Sequence, residues 1–303
     1  MIYDIYHETT FNYATLVTFS HNIARLKPKN CLGQKLLDYS LKIEPTPYET
    51  SEFVDYFENT NNFMLIREAH TKLKVIATSK VERNIEEISE YNEKLKNIPL
   101  TVKEAKDRLK KFHPEDALAK QFLFETESIP MPSDEIRDYV LESFSDDRIF
   151  FEAVNEFMGR IFDDFEFVSG FTDITTPIDV VFKEKKGVCQ DFAQFAISAL
   201  RSIGIPTRYV SGYIQTIPPE GKEKLFGADA SHAWFSVYIP TFGWADFDPT
   251  NNKIPNEEYI ILGYGRDYLD ISPLKGVVQS SGGSSLEVKV NVEVEKLKEE
   301  LEA

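Results

Sequence analysis

The stretch Gly187-Val188-Cys189-Gln190-Asp191-Phe192-Ala193-Gln194-Phe195-Ala196-Ile197-Ser198-Ala199-Leu200-Arg201-Ser202-Ile203-Gly204 decides how this chain is read. Apolar residues stand at 189, 192, 193, 196, 199, 200 and 203, the spacing of one helix face. Gly204 and then Pro206 end the pattern, and Gly187 lets the backbone turn just before it begins. Cys189 therefore belongs in the first turn. There a thiol meets unpaired backbone N–H groups and the positive end of the helix dipole, which favour the thiolate, its reactive form. Ala193, Ala196 and Ala199 are small enough for this helix to lie close against a sheet. Taken alone, Cys189 reads equally well as a core cysteine.

Downstream residues change that balance. Residues 233–239 alternate, with Ala233, Phe235, Val237 and Ile239 on one face and Trp234, Ser236 and Tyr238 on the other. Pro240-Thr241-Phe242-Gly243 reads as a turn and 244–247 as a returning strand. A hairpin centred on 240 sets His232 roughly opposite Asp248, and opposed residues lie about 5 Å apart at Cβ. Asp246 is the rival carboxylate on the same strand face. A thiol, an imidazole and a carboxylate in this order supply a nucleophile, its base and a group to orient the base.

The motifs Gly187-Val188-Cys189-Gln190-Asp191-Phe192-Ala193, Arg201-Ser202-Ile203-Gly204-Ile205-Pro206-Thr207-Arg208, His232-Ala233-Trp234 and Asp248-Pro249-Thr250 resemble the core of the transglutaminase-like superfamily. The resemblance implies papain-like thiol chemistry with Cys189, His232 and Asp248 as catalytic residues, the acid being the Asp of Asp-Pro-Thr. Nearer the start, His7-Glu8-Thr9-Thr10-Phe11-Asn12-Tyr13, Arg25-Leu26-Lys27-Pro28 and Asp55-Tyr56-Phe57-Glu58-Asn59 resemble the β-domain that precedes many bacterial cores of this kind. There Glu58 stands where those domains often carry Gly, which bears on the local turn and not on the chemistry. The stretch 265–276 also resembles these bacterial proteins.

The expected fold is α+β: an antiparallel β-sandwich domain over 1–86, then a papain/transglutaminase-like core over 87–303 that also takes in a C-terminal strand and tail. Strand candidates are 1–13, 36–43, 51–56, 62–68 and 71–81, punctuated by turn residues. Helical periodicity marks 102–112, 133–143 and 150–165, with Ser133 and Asp134 suited to capping. Strands return at 207–217 and 286–294; 218–230 reads as a loop and 295–303 as a charged helical tail. Arg208 is expected to pair with a carboxylate inside the core.

The chain has 303 residues, 42% of them hydrophobic, enough for two cored domains. A net charge of −16 argues against nucleic-acid or anionic-membrane partners. No leader is visible at Met1 and no run of about 18 apolar residues occurs. With only Cys31 and Cys189, a disulfide framework is not expected and a cytoplasmic setting fits. His7, His21, His70 and His113 match no zinc spacing, so neither metal nor cofactor is expected.

The expected activity is cysteine peptidase or amidohydrolase chemistry on a peptide or protein substrate, through a thioester. Cys189 N–H is one oxyanion donor; the second is unassigned. The alternatives are acyl transfer to an amine, as in a protein-glutamine transglutaminase, and an idle binding protein that keeps the fold. Oligomeric state is not legible.

Overall fold

The computed structural model describes residues 1–216, 226–227, 229 and 231–295. The expected loop over 218–230 lies mostly outside the described residues, as does the expected tail beyond 295.

Six strands open the chain: β1 Ile2–Val17, β2 Phe19–Ala24, β3 Gln34–Glu44, β4 Glu49–Val54, β5 Thr60–Ile66 and β6 His70–Arg83. Helices α1 Ile85–Lys96, α2 Val102–Lys110, α3 Asp134–Leu141 and α4 Phe150–Asp164 follow. Then come β7 Glu166–Phe167, α5 Ile178–Glu184, β8 Lys186–Gly187 and α6 Cys189–Ser202. The chain continues through β9 Thr207–Ile214, β10 Ser231–Ile239, β11 Gly243–Phe247, β12 Tyr259–Gly265, α7 Tyr268–Ile271, β13 Leu274–Gln279 and β14 Ser284–Val294.

Three four-stranded antiparallel sheets result, ordered β14-β1-β6-β3, β13-β2-β5-β4 and β11-β10-β9-β12. The first two face each other over Val17, Leu26, Met64, Leu73 and Val75, forming the sandwich. Its outer strands differ from the sequence expectation. β14 pairs with β1 from Tyr3↔Val294 to Tyr13↔Ser284, and β13 pairs with β2. The last strands thus complete the N-terminal sheets and do not belong with the core domain. Without them β1 and β2 would be open edges, which invite foreign pairing.

β2 is a strand that hydrophobic alternation misses, because its pattern is inverted. Ser20, Asn22 and Ala24 point inward, while His21 is exposed and Phe19 and Ile23 are half-buried. Asn22 meets its buried polar demand by donating to Ser20 Oγ at 3.2 Å. In the turn before β5, Glu58 has φ 62, the left-handed region. This accounts for the glycine that related β-domains favour there. Asp55 Oδ1 holds the turn by accepting from the N–H groups of Phe57 and Asn59, both at 2.9 Å.

The third sheet carries α6 on one face. Phe192, Ala193, Ala196 and Leu200 of the helix pack against Tyr209, Phe235, Val237 and Phe247 in the largest apolar cluster, with α4 on the helix's other side. The sheet meets the sandwich through Tyr213, Ile260 and Leu262 against Tyr3, Ile5, Val81 and Val292, while Val210, Trp234, Tyr259 and Ile261 form a separate cluster on which Cys31 packs.

Candidate functional site

Cys189 is the first residue of α6, with Val188 at the N-cap in extended conformation. The start of the helix is braced from within. Asp191 Oδ2 accepts from Val188 N–H at 2.8 Å and from Thr172 Oγ1 at 2.5 Å. Burial raises the pKa of this carboxyl, and those two hydrogen bonds work against the rise. Glycine is required at 187 for space: a Cβ there would lie 2.8 Å from Asp191 Oδ2.

His232 lies near the start of β10, paired across to Gly212 of β9. The hairpin to β11 registers Phe235↔Phe247 and Ile239↔Gly243, so it is centred on 241, one residue later than the sequence suggested. His232 and Asp248 are therefore not opposed in the ladder; they are offset by two residues. The cause is the three-residue loop 240–242, in which Thr241 adopts positive φ, followed at the start of β11 by Gly243, also at positive φ. Asp248 sits just beyond β11, and its backbone bridges to Lys253, which turns its side chain back toward the imidazole.

The imidazole and carboxylate meet at 2.7 Å, Nε2–H donating to Asp248 Oδ2. The Cys189 side chain acts on the same imidazole, raising its pKa together with Asp248. The structure thus pairs His232 with Asp248 and sets Cys189 within electrostatic reach of the imidazole. Burial opposes a charge on His232, but the hydrogen bond to Asp248 and the neighbouring Cys189 side chain outweigh it and lift its pKa to about 10.

Asp248 is fully buried and accepts four hydrogen bonds. Beside that from His232, Tyr259 Oη–H and Asn251 Nδ2–H each donate to Oδ2 at 2.7 Å, and Thr250 N–H donates to Oδ1 at 2.9 Å. Burial alone would neutralise it; the bonds from His232, Asn251 and Tyr259 hold its pKa below the ordinary carboxylate value. Sequence reasoning missed Asn251 and Tyr259. Asn251 had a signal, since it shares the turn that begins at Asp248. Tyr259 had none, because it arrives from β12.

The rival Asp246 is committed elsewhere, accepting from Trp234 Nε1 at 3.1 Å. Trp234 is fully buried with its ring 5.9 Å from that of His232, so it keeps water from the pair. Gly212 makes room for it: a Cβ there would meet Trp234 Cη2 at 2.5 Å and the Ile260 carbonyl at 2.1 Å. Trp244 stands apart from the imidazole, in contact with Phe122 and Tyr238. Arg208 corrects its expectation. It forms no ion pair among the described residues and lies between the rings of Trp244 and Tyr264, 4.3 and 3.5 Å from their centroids.

Comparison with known proteins agrees with this architecture. The profile of the transglutaminase-like superfamily matches residues 137–249, and that of the bacterial transglutaminase-like N-terminal region matches 3–82. The uncharacterized protein Rv2569c of Mycobacterium tuberculosis is 33% identical over 296 residues, covering 96% of this chain and 92% of its own. The uncharacterized protein ML0607 of Mycobacterium leprae is 29% identical over 292 residues, covering 95% and 97%. A crystal structure from Cytophaga hutchinsonii, named as a proposed cysteine protease, superimposes with a TM-score of 0.72. It covers 98% of this chain and 92% of its own at 21% identity, a likeness of fold. The chain belongs to the transglutaminase-like superfamily, with the bacterial N-terminal β-domain ahead of the core.

Proposed function

We propose that this protein is a cysteine amide hydrolase in which Cys189 is the nucleophile, His232 the acid–base and Asp248 the group that orients the imidazole. The observation that supports the reading is the hydrogen bond between the imidazole and a buried, fourfold-bonded carboxylate, with the Cys189 side chain near enough to raise the imidazole's pKa. A scaffold that served only for binding would gain nothing from burying a paired imidazole and carboxylate, since a buried pair seldom adds stability over apolar packing.

The sequence of bonds is as follows. With His232 as imidazolium, the thiolate sulfur attacks the carbonyl carbon of an amide. The oxyanion that forms is held by the Cys189 N–H at the head of α6. His232 passes its proton to the leaving nitrogen, the C–N bond breaks, and a thioester remains. Water then attacks the thioester, giving its proton to His232, and the C–S bond breaks to release a carboxylic acid. Asp248 stays ionised and keeps Nδ1 aimed at sulfur. No step calls for a metal or cofactor. The substrate is a peptide or protein, and the two free thiols suit a reducing cytoplasm.

The test pairs labelling with product analysis. At mildly acidic pH, iodoacetamide should modify Cys189 much faster than Cys31, whose thiol pKa is raised by burial. His232→Ala should slow the modification of Cys189. A peptide library offered with a fluorescent amine should yield cleaved peptide, and Cys189→Ala should abolish it. Dominant amine incorporation would make the protein a transglutaminase. Neither product, with Cys189 reduced and reactive, would make it a binding protein.

A further inference from the structure

A cavity of about 260 Å3 lies on the side of the third sheet that faces the sandwich. Neither Cys189 nor His232 lines it. It is walled by the sandwich turn at Cys31 and Leu32, by Tyr91 of α1, and by Trp244, Tyr259 and Tyr264 of the sheet. Three charged side chains face it: Arg83, Arg208 and Asp246. Two of the three are spoken for. Arg83 donates to Gln34 Oε1 at 3.2 Å and to the Asn256 carbonyl at 3.1 Å. Asp246 holds the Trp234 indole.

Arg208 is the exception. Its guanidinium is clamped by faces, between Trp244 and Tyr264, so its N–H groups project edgewise from the sandwiched plane. Its Nε is buried without a partner, and it makes no ion pair among the described residues. Burying such a cation unpaired is costly. Two aromatic faces offset part of that cost but satisfy no N–H donor. A planar fork held in this way is preorganised for a carboxylate, which takes two parallel N–H···O bonds. The ring-lined walls suit an apolar body behind the acid group. The volume is slightly below the roughly 300–1,000 Å3 of drug-sized pockets, which calls for a small molecule.

We propose that this cavity is a second ligand site, which takes a small organic carboxylate by bidentate pairing with Arg208 while its apolar part rests among Tyr91, Trp244 and Tyr264. Tyr259 connects the two sites, since its ring lines the cavity while its hydroxyl holds Asp248. The proposal does not depend on the chemistry assigned to Cys189, and binding can be measured without turnover.

The experiment uses the full chain and two readouts: calorimetric titration, and protection of the Cys31 thiol against alkylation. The probes are benzoate and 3-phenylpropionate, with benzamide as the neutral isostere and inorganic phosphate as the anion without an apolar body. Saturable binding of an aryl carboxylate that slows Cys31 alkylation, with benzamide at least tenfold weaker, supports the site. Arg208→Gln should lower carboxylate affinity at least tenfold. Should that variant unfold, Leu32→Trp, a change at a half-exposed residue that narrows the mouth, should lower affinity while the fold is kept. Binding of none of the carboxylates, equal binding of benzamide, binding of phosphate alone, or affinity indifferent to both variants would overturn it.

Discussion

His7 should make the protein sensitive to mild acid in a way that one substitution removes. Its side chain is 1% exposed, at the seam where the sandwich meets the third sheet. Both ring nitrogens are satisfied by neutral hydroxyls, Nδ1 by Tyr213 Oη at 3.0 Å and Nε2 by Thr9 Oγ1 at 2.9 Å. No carboxylate among the described residues offsets a positive charge, and burial drives its pKa from 6.5 down to about 4. The unfolded chain therefore takes up this proton near pH 6.5, while the folded chain resists until about 4. More protons are bound by the unfolded state in that window, so stability is lost as pH falls through it. At about 1.4 kcal/mol per tenfold change in proton affinity, the loss is about 2.5 kcal/mol at pH 4.5 and about 3.5 kcal/mol at its limit. That is a large share of the roughly 5–15 kcal/mol typical of folded domains. Urea unfolding of the wild type and of His7→Gln from pH 7.5 to 4.5 isolates it, because other titrating groups contribute alike to both. The variant should start less stable, having lost packing and hydrogen bonds. Its deficit should shrink by about 2.5 kcal/mol by pH 4.5. Curves that stay parallel across the range would refute the reasoning.

Other perturbations test separate parts of the structure. Peptide hydrolysis should fall on the alkaline side with a midpoint near the raised His232 value of about 10, since above it no imidazolium remains to protonate the leaving amine; kcat/KM against pH reads this out, and a midpoint near 6.5 would contradict it. Gly212→Ala places a methyl 2.1 Å from the Ile260 carbonyl and 2.5 Å from Trp234, so denaturant titration should show a loss of about 3 kcal/mol, the upper end for overpacking. Glu58→Gly should raise stability by about 0.5–1 kcal/mol by releasing a left-handed non-glycine residue, the relief of about 1–2 kcal/mol exceeding the entropy that glycine adds to the unfolded chain; an unchanged or lower denaturation midpoint would count against it.

What could be read in advance was local. The helix from Cys189 to Ser202 was legible because its apolar period, its opening glycine and its stop signals agree, and Gly204 indeed takes φ +81. The alternating run of β10 was legible for the same reason. What escaped was set by tertiary pairing. The two-residue error in the hairpin arose because counting residues between His232 and Asp248 assumes a symmetric turn, whereas Thr241 accepts a positive φ that moves the closure. β2 escaped because its inward positions are polar. Arg208 escaped as well, because a pair of ring faces leaves no mark in sequence comparable to a charged partner.

The placement of β13 and β14 ties these observations together. Sequence order suggests a β-domain followed by an independent core, yet the chain leaves the core through β12 and α7 and returns to close both sandwich sheets. The core is thus inserted between strands of the sandwich, and β12 lies where the two bodies meet, with Ile260 and Leu262 packed on Tyr3, Ile5 and Val292. The same strand opens with Tyr259, which holds Asp248, and ends near Tyr264, which stacks on Arg208. Ordering β12 therefore orders the support of the carboxylate and one wall of the cavity at once. The sandwich, which contributes no residue to the His232–Asp248 pair, acts on it through the strand it pins. The β-domain is in this sense part of the architecture of the site, because a core released from it would expose the apolar face of β12 and loosen the hydroxyl that fixes the acid.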